Sequence, residues 1–400
     1  MQAYHFFRPL LSSVKAWTAF RWQPFPAAAG DLPALTATAA AVAPLARLYP
    51  LFVPCRPDWL GDAAFRRLQH DFGPGRVIPC LPAEAAGDAA AEAHCSRLRA
   101  ADSHVAVEVA DGETLRSLQP AVFDHAVIDA QSARSDIALI DLINAHQHGL
   151  HLVASGVHSH ELFDWACAKR FSLAAAEFIA VDDPRAPVDA DTSRLKLLKL
   201  LSLVVQDADT REIEEIFRQE PKLSYNLLRL VNSVAVGPKT PITGFSQAIT
   251  VLGRRQLQRW LQLLIYANQF TQGSLPNPLL QLAAARGRQM EALAAALPAD
   301  PELPEMGEAA FVVGIFSLLD TLLRMPMSEV LASLPVAPPI ALALAERGGA
   351  LGRLLSAVAE ADAGRLEAAA VRLDELGIAP HDHAGAQVSA YAWAARISLD

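Results

Sequence analysis

Features typical of membrane-spanning, secreted or disulfide-bonded proteins are scarce in this chain of 400 residues. No stretch offers about 18 uninterrupted apolar residues, so we predict no membrane span; even the apolar window 36–54 is broken by Pro44, Arg47 and Pro50. The N-terminus lacks the basic and apolar pattern of a signal peptide. The four cysteines form no CxxC pair, which indicates reduced, packed thiols and a cytoplasmic location.

Charge is also sparse. Charged residues make up 19% of the chain and its net charge is −9, whereas 52% of residues are apolar, enough to build sizeable cores. One window departs from this balance, because residues 218–259 carry seven Lys or Arg side chains against one Glu (7 − 1 = +6). We interpret the window as the solvated face of a helical bundle or as a docking face for a protein or an anionic ligand. Nucleic-acid binding is not expected of an acidic chain, since phosphate contacts dominate such affinity.

The usual short motifs of catalysis are missing as well. The sequence contains no P-loop, no glycine-rich dinucleotide loop and no nucleophile elbow. "DFGPGR" (71–76) predicts a plain turn. The histidines between residues 146 and 160 lack the paired short spacings of a zinc site, and "HDH" (381–383) follows a turn. No cofactor is therefore expected, and a metal-dependent phosphohydrolase of unrecognised type is kept as a further alternative.

The first part of the chain alternates short apolar runs with helical patterns. Helices are predicted at 85–100, 135–148 and 160–169, between several of the strands. The predicted strands are 51–54, 77–81, 104–109, 125–129, 151–155 and 177–181. This alternation predicts a parallel sheet, either a barrel or an open α/β sheet, whose strand ends usually carry the functional residues.

A polar, proline-bearing segment then separates two kinds of pattern. Beyond it the apolar residues recur at helical spacing, as in Leu223, Leu227 and Leu230. We therefore predict an α/β domain over residues 1–183, a linker over 184–194 and an all-α domain over 195–400.

Residues 213–264 contain a long and specific pattern. It comprises Glu220-Pro221, Leu223, "LLRLVNS" (227–233), Ile242, "AI" (248–249), "LG" (252–253) and Leu257. The stretch strongly resembles an HDOD domain. Domains of that family resemble HD-superfamily phosphohydrolases but typically lack their metal-binding His and Asp residues, so the resemblance implies a helical module without that metal site.

The N-terminal part resembles an EAL domain, the barrel of cyclic-di-GMP phosphodiesterases. The matching segments are "AFRWQP" (19–24), "HAVID" (125–129), "ASGVHSHE" (154–161) and "FSLAAAEF" (171–178). The whole chain is thus similar to two-part EAL–HDOD signalling proteins, with a degenerate EAL-like barrel first. The region is short for a full EAL barrel, so a truncated barrel is one expectation.

Catalysis in the EAL family needs several carboxylates, an Asn and a Lys around two divalent cations. Other residues stand at the positions that match, namely Ala19, Pro54, Val127, Ser155, His158 and the pair Ala175-Ala176. Asp129 remains, and Glu108 or Asp111 stands near the family's double-Asp position. The resemblance therefore implies a barrel that has lost its phosphodiesterase residues.

We expect a bacterial signal-transduction protein that is not an enzyme and that acts by binding an unknown signalling protein. The alternative is a catalytically inactive sensor of cyclic-di-GMP or another nucleotide. Candidate residues of the interaction face are Arg229, Asn232, Arg254 and Arg255. Remnants of the EAL site are Asp129, Ser155 and His158.

Overall fold

The computed structural model describes residues 2–27, 31–185, 199–206, 209, 211–214, 225, 227–229, 231–232, 242, 244–267 and 278–397. The chain divides into two compact units. The first comprises Met1–Val181, Glu360–Asp374 and Ala379–Val388, and the second comprises Asp182–Ala359, Glu375–Ile378 and Ser389–Asp400.

The first unit is a closed barrel whose strands follow the chain order β1 to β8. The strands are β1 (Tyr4–Leu11), β2 (Trp17–Phe25), β3 (Leu51–Pro54), β4 (Val77–Leu81), β5 (Ala106–Val109), β6 (His125–Asp129), β7 (His151–Ser155) and β8 (Leu173–Ala175). β1 runs antiparallel to both β2 and β8, and the other neighbouring pairs are parallel.

Helices connect the parallel strands. They are α1 (Leu32–Ala46), α2 (Ala63–Phe72), α3 (Ala89–Ala100), α4 (Gly112–Ser117), α5 (Ala130–Ser135), α6 (Leu139–Gln147) and α7 (His160–Ala168). Most of these helices begin at a polar residue whose side chain accepts a hydrogen bond from a backbone N–H of the first turn. These N-cap residues are Asp31, Asp62, Asp88, Asp111, Asp129 and Ser159. These caps explain where the helices start.

The barrel interior is an apolar layer made by alternate residues of the strands, since successive side chains of a strand point to opposite faces. The layer consists of Leu10, Ala19, Phe52, Ile78, Cys80, Ala106, Val127, Val153, Leu173 and Ala175. It fills the centre of the barrel, so polar side chains on the same faces lie at its two ends.

Sequence patterns found five of these strands and missed three. The prediction of a strand at 177–181 was wrong, because Leu173–Ala175 forms β8 and residues 177–180 form a turn. Phe178 and Ile179 are buried in that turn without pairing in the sheet. β1 and β2 complete an eight-strand barrel, so the expectation of a truncated barrel was also wrong. Residues 73–76 form the predicted turn after α2.

The barrel closes through a short seam, and C-terminal residues pack beside it. β1 pairs with β8 through only two residue pairs, Leu10 with Ala175 and Leu11 with Ala174. The backbone N–H of Phe7 donates a buried hydrogen bond of 2.9 Å to Oε1 of Gln387. These residues of the predicted all-α domain (195–400) thus belong to the same compact unit as the barrel.

Helices account for the described C-terminal part, which confirms the predicted all-α character of that region. They are α8 (Phe245–Leu252), α9 (Arg254–Ala267), α10 (Pro278–Leu293), α11 (Met306–Phe316), α12 (Leu319–Leu323), α13 (Met327–Ala332), α14 (Pro338–Glu346), α15 (Gly349–Asp362), α16 (Leu366–Glu375) and α17 (Pro380–Ala394). Residues 199–205 are also helical.

Two glycines allow α10 and α11 to approach closely. A Cβ atom added at Gly314 would lie 2.6 Å from Cα of Gly287. The apolar window Met306–Leu323 is the one helical stretch among the described residues with the length and composition of a membrane span. It is 67% buried within the protein, as core helices are.

Candidate functional site

The carboxyl ends of the parallel strands form the mouth of the barrel. Alternation along each strand places one further inward side chain beyond the apolar layer. These mouth residues are Arg21 and Gln23 from β2, Pro54 from β3, Glu108 from β5, Asp129 from β6, Ser155 from β7 and Glu177 after β8. Arg8 joins them, because it lies opposite Arg21 in the antiparallel pair of β1 and β2.

Two arginines neutralise two of the mouth carboxylates. Arg8 forms an ion pair with Glu177, whose side chain is only 2% exposed, and donates a 2.9 Å hydrogen bond to Oε1 of Gln23. Arg21 forms an ion pair with Glu108. Guanidinium groups therefore contact the carboxylates that a divalent cation would need as ligands.

The three residues predicted to be EAL remnants are brought together on β6, β7 and the loop after β7. Asp129 lies opposite Ser155 in the sheet. Gly156 follows with a positive φ of 65°, and a Cβ atom there would come within 2.3 Å of Oδ2 of Asp129 and 3.8 Å of Nε2 of His158. Oδ1 of Asp129 accepts a 2.9 Å hydrogen bond from the N–H of Ser132 and caps α5. The surviving carboxylate thus serves as a helix cap.

Asp111 likewise caps a helix. Its Oδ1 accepts hydrogen bonds of 2.8 and 2.9 Å from the N–H and hydroxyl of Thr114, which lower the pKa of this carboxyl. The described residues contain no group of three or more His, Cys, Asp or Glu side chains that could hold a metal ion. Among the described residues of the mouth, two carboxylates pair with Arg8 and Arg21 and that of Asp129 caps a helix.

A cleft of about 350 Å³ opens beside the mouth. Its lining includes Arg21 and Gln23 together with Arg56 and Trp59, which follow β3. This lining places guanidinium groups and an indole ring around one cavity, the groups that contact phosphates and planar bases.

Two buried thiols also line the cleft. Burial raises the pKa of Cys80 to about 12 and raises that of Cys55 well above its usual value. Because the thiolate is the nucleophilic form, these protonated thiols are poor nucleophiles near neutral pH.

Two histidines that the sequence singled out, His151 of the segment 146–160 and His383 of "HDH", lie in different places. His125 and His151 begin β6 and β7, at the end of the barrel opposite the mouth, with ring centroids 5.4 Å apart. Burial is the main cause that lowers the pKa of His125 to about 4. His383 of the "HDH" segment packs edge-on against Phe6, with ring centroids 4.9 Å apart. Its buried ring belongs to the packing of α17 on β1.

The basic window is largely neutralised where the structure describes it. Nη2 of Arg255 lies 2.6 Å from Oε2 of Glu305 and 2.7 Å from Oε1 of Glu308. Arg259 forms ion pairs with Glu308 and Glu291. The described arginines Arg255 and Arg259 of this window therefore do not form an unpaired basic surface, although the window carries a net charge of +6 along the sequence.

The other candidate residues of the interaction face make local contacts. The carboxamide of Asn232 bonds both backbone groups of Ile242, at 2.7 Å each, and thus ties two parts of the HDOD pattern together. The guanidinium of Arg229 lies 5.5 Å from the ring centroid of Tyr225. The side chain of Arg254 lies outside the described residues. The face itself stays a prediction.

Sequence reasoning missed the arginines at the mouth. Arg8 and Arg21 lie on the two strands that the patterns did not predict, and Glu177 was assigned to a strand. One available signal was alternation in "WTAFRWQPF", where Ala19, Arg21 and Gln23 share a face, and the EAL-like segment "AFRWQP" also contains Arg21. Nothing in the local pattern indicated that Arg8 would pair with Glu177, which is 169 residues further along the chain.

The family comparison decides the identity of the helical region. Residues 193–333 match the HDOD domain model. The chain carries an HDOD domain. A cyclic di-GMP phosphodiesterase of Vibrio cholerae serotype O1, CdgJ, is 32% identical over 149 residues, which are 37% of this chain and 33% of CdgJ.

Other similar proteins cover further parts of the chain. The Bacillus subtilis protein YuxH is 25% identical over 198 residues, 49% of this chain and 47% of YuxH. The chain thus spans between a third and a half of the length of these curated relatives. Among solved structures, the EAL domain of Mycobacterium smegmatis DcpA is 18% identical with a TM-score of 0.33 and covers 43% of this chain and 87% of that domain. The HDOD match confirms the predicted HDOD domain.

Proposed function

We propose that this protein is a non-enzymatic signalling module related to cyclic-di-GMP signalling, in which a degenerate EAL-like barrel accompanies an HDOD domain that binds a partner protein. The observation that carries the proposal is the pairing of Arg8 with Glu177 and of Arg21 with Glu108 at the barrel mouth. The two guanidinium groups there occupy carboxylates that a divalent cation could otherwise bind. The name of the relative CdgJ supports the link to cyclic-di-GMP and leaves this chain's own activity to experiment.

The test combines calorimetry with product analysis. Full-length protein is titrated with cyclic-di-GMP in millimolar Mg²⁺ or Mn²⁺, and the mixture is then chromatographed for the linear dinucleotide. We expect no product above a protein-free blank. Product that is lost on adding a chelator would overturn the proposal.

A sensor of cyclic-di-GMP or another nucleotide is the second candidate, and the cleft beside the mouth favours it. Arg56 lines that cleft with a 68% exposed side chain in an ion pair with Asp58, a partner that a phosphate would replace, and the largely buried Trp59 beside it would offer an indole surface to a base. Saturable binding without product would support the sensor. Arg56→Ala and Trp59→Ala should then each weaken binding about tenfold or more, whereas Arg66→Ala on the exposed side of α2 should leave it unchanged.

A further inference from the structure

A second concave site lies within the second compact unit, in and beside the HDOD domain. It is a groove of about 510 Å³ between the helix 199–205, α9, α11 and the segment 335–340. One side of the groove is aliphatic and is formed by Val204, Val205, Val312, Val336 and Ile340. The polar part of the lining comes mainly from one face of α9, with Gln258 and Gln262 one turn apart.

The charged side chains along the groove balance one another. Arg255 and Arg259 line it, and so do Glu305 and Glu308. Arg255 contacts both glutamates, and Arg259 pairs with Glu308. The lining therefore carries no net charge, which disfavours a strongly anionic occupant such as a nucleotide or nucleic acid.

One buried acceptor in this lining has no donor. Gln262 is only 7% exposed, and its Oε1 accepts no hydrogen bond from any part of the chain that the structure describes. Buried polar atoms in folded proteins almost always have a hydrogen-bond partner. A groove with aliphatic side chains and an acceptor that lacks a donor can bind an extended peptide. A backbone N–H of such a peptide can donate to the acceptor, and a neighbouring side chain can pack against the aliphatic residues.

We propose that this groove binds an uncharged, extended peptide segment of a partner protein. One backbone N–H of the peptide donates to Oε1 of Gln262, and the adjacent small aliphatic side chain packs against Val312 and Ile340. The inference rests on the proposed signalling function and assigns its partner-binding site to the groove. The predicted face of Arg229, Asn232, Arg254 and Arg255 shares Arg255 with it.

The experiment uses the full-length chain immobilised on a resin. The probe is an equimolar pool of acetylated and amidated hexapeptides built from Gly, Ala, Val, Leu, Pro and Ser. Retained peptides are identified by mass spectrometry, resynthesised and measured by calorimetry. Gln262→Leu removes the acceptor at nearly constant volume and should weaken binding about tenfold. N-methylation of the peptide amide that donates to Gln262 should weaken binding to the wild type by the same factor. It should cause little further loss of binding to the Gln262→Leu variant.

Val312→Arg should abolish retention by filling the groove, and Val336→Arg gives a second blocking variant because both valines are partly exposed. Val251→Arg is the matched control, since Val251 is 48% exposed on α8 and outside the groove. Circular dichroism shows which variants fold. Retention of no peptide by the wild type, or equal binding by wild type and the folded blocking variants, would overturn the inference. The peptide assay contains no nucleotide, so a negative result there bears only on the groove. Cleavage of cyclic-di-GMP, measured separately, would overturn the proposed function.

Discussion

Arg8 and Arg21 lie directly opposite each other in the antiparallel pair of β1 and β2, and both side chains point into the mouth of the barrel. Each is paired with a carboxylate that comes from a distant part of the chain, Glu177 for the first and Glu108 for the second. Two guanidinium groups on adjacent strands thus supply the positive charges of the mouth. Their carboxylate partners keep the pairs neutral overall.

Breaking the buried pair should destabilise the barrel. Glu177→Gln leaves the guanidinium of Arg8 without its counter-charge, and we expect a loss of about 3 kcal/mol in the free energy of unfolding, measured with urea. Glu161→Gln is the matched control, because Glu161 is 66% exposed in its 2.9 Å ion pair with Arg134 and should cost less than about 1 kcal/mol. Equal effects of the two variants would contradict the buried ion pair.

The contact between Phe7 and Gln387 should protect the seam of the barrel. Gln387→Leu leaves the buried N–H of Phe7 without an acceptor, which should cost about 1–3 kcal/mol. Hydrogen exchange of the Phe7 amide should accelerate in this variant more than exchange in β6 and β7. Gln131→Leu on the exposed side of α5 should change neither quantity. Unchanged exchange at Phe7 would show that the seam does not depend on α17.

Acid should destabilise the first unit through two buried histidines. Burial lowers the pKa of His383 to about 3 and that of His5 to about 4, against an unfolded value of 6.5. The unfolded chain therefore binds more protons below pH 6.5, so stability is full above that pH and falls as the pH drops toward 4 and 3. The full loss from His383, reached below pH 3, should amount to roughly 5 kcal/mol.

Replacing His383 tests this pH dependence directly. His383→Phe keeps an aromatic ring against Phe6 and removes the titrating group, so the fall in unfolding free energy between pH 7 and pH 4 should be smaller than in the wild type. His70→Phe is the control, because the His70 side chain is 88% exposed on α2. An identical pH profile for wild type and His383→Phe would contradict the prediction.

The crossing of α10 and α11 should tolerate no side chain at Gly314. Gly314→Ala would bring its Cβ to 2.6 Å from Cα of Gly287, and the forced separation of the helices should cost about 1–3 kcal/mol. Gly385→Ala makes the same substitution in α17 with no atom within 4 Å. It should stabilise the protein by about 0.5–1 kcal/mol because alanine is the better helix former. Thermal denaturation of both variants measures the contrast.

The sequence by itself determined the parallel strands of the barrel from β3 to β7 and the HDOD pattern. These features are local, because a strand or a motif is specified by residues that are close together in the sequence. Asp129, Ser155 and His158 came together as expected, since they lie on two neighbouring strands and the loop that follows.

Only the tertiary structure decided which distant groups meet. The apolar residues Phe178 and Ile179 suggested a strand, but they are buried in a turn, because burial alone does not select sheet pairing. The arginines of the basic window meet glutamates of α10 and α11. Gln387 reaches Phe7 from 380 residues away. Such pairings depend on how elements pack rather than on local preference, so the neutralised mouth and the groove became visible only in the folded chain.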